Sequence, residues 1–275
     1  MSEFKRNRLA IFGIVIICSL ILAAALANYI VPYDPLEQSY TEMLQSPSLQ
    51  HPLGTDRLGR DLLSRVIFGS RYALLIGVMI VLIQSVIGVT IGLISGFQGG
   101  MTDAFFMRLV DIMLSMPIVV LGLAVAGVLG GGLLNVIIAI GFIGWRGYAR
   151  LIRGEVMSVK ENEYIEASRA SGAGDFRIIL HHILPNTTAS LIVYATLQIP
   201  NAILVSAALS FLGIGAQPPT PEWGLILSTG RDYLSTAWWI ATFPGLAIMF
   251  TVLGFNFVGD GLRDALDPKL KKSTG

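Results

Sequence analysis

Residues 72–98 read YALLIGVMIVLIQSVIGVTIGLISGFQ, an uninterrupted stretch without one charged side chain. As an α-helix rising 1.5 Å per residue it would reach about 40 Å, more than the roughly 30 Å of a bilayer's hydrocarbon core. Gly88, Gly92 and Gly96 recur every fourth residue and so share one helix face, where small residues let another backbone approach closely, in this chain or in a second subunit. The stretch reads as a membrane span with a packing face.

Working outward, further apolar blocks appear at Leu9–Val31, Phe105–Leu129, Leu133 to about Leu151, Ala189–Gly213 and Trp238–Gly259. The reading is an all-α polytopic membrane protein with about six spans. Composition agrees: 53% of the 275 residues are hydrophobic and 13% charged, about half the charged share of a soluble domain. The first block follows Lys5, Arg6 and Arg8 and stays uncharged for 23 residues, too long for a signal-peptide core, so it is expected to persist as an uncleaved span. Gly130-Gly131-Gly132 is expected to divide the third and fourth spans. Pro117, Pro200 and Pro244 should each kink a span.

Lysine and arginine orient the chain. With the amino terminus inside, 14 of the 19 basic residues fall on inner segments or inner span ends, and the outer loops keep Arg57, Arg60, Arg65, Arg71 and Arg231. Both termini are therefore expected in the cytoplasm. This organises the chain as a first span plus outer loop over 1–71 and a five-span core over 72–275.

Several chemistries are excluded. A net charge of +1 offers no basic domain for nucleic acid. The lone cysteine, Cys18, forbids disulfides and reads as a small buried hydrophobe. No G-x-x-x-x-G-K-[ST] loop occurs, so any ATP is bound by another chain. His51 lies in an outer loop and His181-His182 in an inner one, without metal-ligand spacing. No nucleophile–base pair suggests catalysis. Charges are nearly absent from the span centres; Arg108 and Asp111 are placed to pair along one helix. Arg146, Arg150 and Arg153 form a basic stripe at the inner end of the fourth span, reaching headgroups or lining a vestibule.

The loop at about 152–188 carries the most information. Helix formers run from Glu163 through Glu166, Ala167 and Ser168 to Ser171 and stop at Gly172 and Gly174; Gly172 is expected at positive φ. Asp175 is then placed to cap a second short helix ending before Pro185. Two short helices around a glycine turn make a protrusion suited to docking on a soluble partner, or to lying on the membrane.

These residues resemble the EAA loop of bacterial ABC-importer permeases, E-A-A, three residues, Gly, nine residues, I-x-L-P. Glu166, Ala167, Ser168, Gly172, Leu184 and Pro185 fall in register, with Ser168 replacing the second alanine and His182 the isoleucine. Leu53-Gly54-Thr55-Asp56-Arg57-Leu58-Gly59-Arg60-Asp61 with Ser64 and Arg65, and Ser210-Phe211-Leu212-Gly213, Gln217 to Gly224, Gly259 to Asp264 and Asp267-Pro268 are similar to segments of the C-type permease in the dipeptide and oligopeptide branch. The resemblance implies a type I importer transmembrane domain in the bacterial inner membrane. It implies a homologous second permease, two cytoplasmic ATPases that use ATP and Mg, an extracytoplasmic binding protein, and no cofactor on this chain. Glu163, Glu166, Ala167, Ser168, Gly172, Asp175, Leu184 and Pro185 would then couple the ATPases to the spans. Substrates in this branch are dipeptides or oligopeptides, with relatives that carry nickel, glutathione or other small solutes. A secondary transporter would show repeated halves and buried coupling charges, and a channel a filter loop; neither is evident.

Overall fold

The computed structural model describes residues 7–266, so the calls on Lys5, Arg6, Asp267, Pro268 and the lysines at 269, 271 and 272 lie outside the described residues. Ten α-helices follow in order: α1 (Arg8–Ile30), α2 (Leu62–Gln98), α3 (Gly100–Leu114), α4 (Ile118–Leu129), α5 (Leu133–Lys160), α6 (Glu163–Ala170), α7 (Asp175–Ile178), α8 (Leu184–Phe211), α9 (Trp223–Gly230) and α10 (Trp239–Leu266).

Among the described residues, four helices are long and apolar enough to cross a membrane: α1, α2, α10 and the run from Asp175 through α8. The pair α3 and α4 adds a fifth crossing if counted as one span, but it is bent by 94°. The kink expected at Pro117 is thus a full break of the third span. Pro117 cannot donate a backbone N–H and instead becomes the N-cap of α4. The expected fourth span, α5, falls short on composition, because Arg146, Arg150 and Arg153 share its 28 residues. Nevertheless α5 lies alongside α2 and points the same way, from Ile83 against Gly141 to Phe97 beside Lys160.

The glycine face of α2 makes this closeness possible. A β-carbon at Gly88 would lie 2.5 Å from the Trp145 carbonyl oxygen, and one at Gly92 2.7 Å from that of Ala149. The face is used within the chain. Where lipid removes most of the hydrophobic drive between helices, such backbone-to-backbone packing is what holds them. Around it, Ile76, Ile80, Val136, Ile140, Ala202 and Leu209 form the central core. Cys18 is exposed on α1 rather than buried, since the buried residues of α1 (Ala10, Gly13, Ala24 and Ala27) lie on another face of that helix.

The arginine stripe is a clamp. Arg146 donates to the Met113 carbonyl at 2.7 Å, Arg150 pairs with Asp111, and Arg153 grips Asp103 with two bonds, one at 2.6 Å. These bonds fasten α3 along α5. Asp111 is thus engaged by Arg150 of another helix, not by Arg108 of its own turn as expected.

At the opposite end of the molecule, residues 31–61 fold into a compact cap. Asp61 caps α2 by accepting from the Ser64 amide and hydroxyl, both at 2.7 Å, and its other oxygen meets His51 Nδ1 at 2.9 Å. Asp56 pairs with Arg60 at 2.7 Å, and Arg65 donates to the Pro35 carbonyl at 2.9 Å. The indole N–H of Trp239, at the start of α10, donates to the Thr55 carbonyl of the cap at 3.1 Å, and that of Trp223, at the start of α9, donates to the Val66 carbonyl of α2 at 2.9 Å.

Candidate functional site

The protrusion between α5 and α8 is shorter than expected, residues 161–183, because α5 continues to Lys160 and α8 begins at Leu184. Its first half forms as the sequence predicts. Glu163 and Glu166 sit in the first turn of α6 and Arg169 in the last, each favourable to the helix dipole. The helix ends in a glycine cap: the Gly172 amide donates to Arg169 at 3.0 Å, and the Ala173 amide to Ser168 at 3.1 Å. Gly172 adopts φ +88°, the left-handed conformation expected of it.

Its second half departs from expectation. Gly174, not Asp175, is the N-cap of α7, and Asp175 is the first helical residue, 3.8 Å from Arg169. Nor does Pro185 end a helix. The chain passes from α7 through a π-turn, Ile179–Ile183, directly into α8. Proline cannot take the usual position over the carbonyl four residues before it, and one widened turn relieves that clash without breaking the axis.

The protrusion is seated by its apolar side. Ile165, Ile178 and Ile183 are buried against Phe97, Ile152 and Val156. Lys160 donates to the Phe97 carbonyl at 2.8 Å, and the Arg169 guanidinium lies 5.8 Å from the Phe97 ring. His182 meets Ser168 Oγ at 3.3 Å, and Asn186 donates to the Tyr164 hydroxyl at 3.3 Å. The knob is therefore packed against side chains of α2, α5 and α8.

On the outer side, Glu163, Glu166, Ala167, Gly172, Asp175 and Pro185 are exposed, while Ser168 and Leu184 are half-buried. The structure brings Glu163 to Asp175 onto one knob, with Leu184 and Pro185 at its root. Sequence reading missed Phe176, 75% exposed near the tip, and the exposed ring of Tyr164. An aromatic residue in an otherwise polar loop was the available signal, since an exposed ring of this size marks a contact surface.

A bundle of long apolar helices that carries a packed polar knob at one end defines a polytopic membrane protein. Residues 88–272 match the family described as "Binding-protein-dependent transport system inner membrane component", and residues 1–47 match the "N-terminal TM domain of oligopeptide transport permease C". The chain is 46% identical to the di/tripeptide transport system permease protein DppC of Pseudomonas aeruginosa, over 99% of this chain and 92% of that protein. It is 46% identical to the dipeptide transport system permease protein DppC of Alkalihalophilus pseudofirmus (98% and 89% covered) and 45% identical to the glutathione transport system permease protein GsiD of Escherichia coli (98% and 89% covered). Its fold is similar to that of a chain of the MetNI methionine ABC transporter, with a TM-score of 0.59 at 22% identity, covering 75% of this chain and 98% of that one. The chain belongs to the binding-protein-dependent transport system inner membrane component family: it is a multi-pass inner-membrane permease subunit of an ABC importer, of the C-type found in dipeptide systems.

Proposed function

We propose that this chain forms half of the translocation pathway for dipeptides or short oligopeptides and is driven through the 161–183 knob by cytoplasmic ATPases. The observation that carries the reading is the exposed Glu163–Asp175 knob, capped at Gly172 and anchored by Ile165. A knob polar outside and packed inside moves as a rigid body with whatever docks on it. The partners on this reading are a homologous second permease, two ATPases that supply ATP and Mg chemistry, and an extracytoplasmic binding protein. The residues in contact with the ATPases are Glu163, Glu166, Ala167, Ser168, Gly172 and Asp175, with Leu184 and Pro185 fixing the root. Both termini face the cytoplasm, and residues 1–71 form a span and outer cap beside the core of 72–275. The peptide substrate is supported by the relatives at 46% identity; the relatives at 45% identity named for glutathione transport support a second reading, the tripeptide glutathione.

Gly172→Leu tests the coupling. Nothing lies within 4 Å of a β-carbon there, but φ +88° opposes it, a cost of about 1 kcal/mol or more. The variant should assemble in the membrane at parental levels yet lose peptide uptake and ATPase association or stimulation together, and Glu166→Lys should act in the same direction. Parental uptake with fully stimulated ATPases at equal expression would overturn the reading.

A further inference from the structure

Half-way along the long helices, the break between α3 and α4 leaves a recess of about 180 Å³ lined by Gln84, Arg146, Tyr194, Gln198 and Asn201. Sequence reading put Arg146 at an inner span end. Because α5 runs on to Lys160, Arg146 instead lies about 20 Å from either end of its helix at 1.5 Å per residue. Gln198 is likewise central in α8. The recess therefore sits at the middle of both helices, away from either end of the bundle, and polar groups so placed within spans are costly and mark function.

Two glycines of α5 make room for it. A β-carbon at Gly144 would fall 2.0 Å from Gln84 Nε2, and one at Gly147 2.1 Å from the Tyr194 hydroxyl oxygen. Arg146 is 8% exposed, with one N–H on the Met113 carbonyl and no carboxylate partner among the described residues. A guanidinium carries five donors, so it retains capacity for a carboxylate. Asn201 is exposed and donates to Gln198 Oε1 at 3.1 Å; this amide pair faces outward from a helix otherwise apolar at that level. Such groups are not stable against lipid, and a concave cradle suits a solute better than a packed helix does.

We propose that this recess is the chain's half of a mid-membrane binding site for a short peptide, in which Arg146 takes the terminal carboxylate and the amides of Gln198 and Asn201 take the peptide group, while Gln84 is buried and donates to the Ile140 carbonyl at 3.2 Å. The ligand class rests on the peptide reading above. Tyr194 closes one side, held edge-on against Tyr148 with ring centroids 4.8 Å apart. Mixed donors and acceptors match a peptide backbone of any sequence, and one fixed cation matches the carboxylate that all such substrates share.

The test uses the whole transporter in proteoliposomes, with Cys18→Ala and Asn201→Cys, and a membrane-impermeant thiol reagent. During ATP turnover Cys labelling at 201 is expected, and dialanine is expected to protect it. Adding Arg146→Gln should raise the dialanine concentration for half-protection by about tenfold, the loss of one charge-assisted hydrogen bond, and Arg146→Lys should recover part of it. If Arg146→Gln does not assemble, Gln198→Leu serves, with loss of protection expected. A transporter that carries dialanine while position 201 stays unlabelled, cross-links only to the second permease, or is labelled without protection overturns this inference alone. A transporter that keeps Asn201 and carries no dialanine overturns the peptide reading and, with it, the ligand assigned here.

Discussion

Gly59 shows how far a single residue can be read. It lies in the outer cap at φ +71°, and a β-carbon there would sit 1.8 Å from the Ser39 carbonyl oxygen. Gly59→Ala therefore costs more than the about 1–2 kcal/mol of left-handed strain alone and should lower the thermal midpoint in detergent by several degrees; an unchanged midpoint would show that the cap does not depend on this turn. Glu222 gives a pH dependence. It caps α9 by accepting from the Gly224 and Leu225 amides at 3.0 and 2.8 Å. Burial holds its carboxyl above the ordinary carboxylate range, with those amides pulling the other way. The folded state thus holds the proton more tightly than the unfolded chain does. Its contribution is fully present below the unfolded pKa and lost as pH rises through the folded value. Thermal midpoints of the parent should fall as pH rises from the ordinary carboxylate pKa through the raised folded value while those of Glu222→Gln stay flatter, and parallel curves would contradict the assignment. The φ of Gly172 was legible in sequence because helix formers stop there. The partner of Asp111 was not, because spacing within α3 says nothing about which arginine of α5 lies alongside.

At the scale of elements, local patterns are legible and packing offsets are not. The Gly88-Gly92-Gly96 face was visible in sequence; that it meets Trp145, Ala149 and Val156 of α5 is a tertiary choice. The Pro117 break shows the same limit, since proline announces a disturbance but the neighbours decide between a kink and a 94° bend. Here the arginine clamp holds the first of the two pieces, α3, against α5. Arg153 and Asp103, partly exposed and doubly bonded, should show a favourable coupling of about 1 kcal/mol in a double-mutant cycle read by thermal midpoint. The reversed pair Asp103→Arg with Arg153→Asp should recover part of the loss of either single change; additive single effects would mean that α3 is held by its apolar contacts with Trp145 and Ala149.

For the whole molecule, five of the 19 basic residues fall on the outer side of the expected orientation, and the structure shows the use of three of them. Arg60 and Arg65 are buried beside Asp56, and Arg71 ties α1 to α2 through the Ala24 carbonyl and Asn28. They act as internal cross-links more than as topology signals, so reporter fusions after Gln45 and after Trp223 should read outside and one after Gly172 inside. A cytoplasmic signal at Gln45 would refute that arrangement. Purified alone, the chain should show no ATP turnover. The most direct test of the central claim, that ATP-driven motion enters this permease through the α6 knob, is disulfide trapping at Ala167. With Cys18→Ala and Ala167→Cys in the full complex, and a cysteine in the ATPase groove, oxidation should join this chain to the ATPase and stop ATP-driven peptide uptake, and reduction should restore it. Uptake that continues under oxidising conditions, with no adduct between the two chains across a scan of groove positions, would contradict the account.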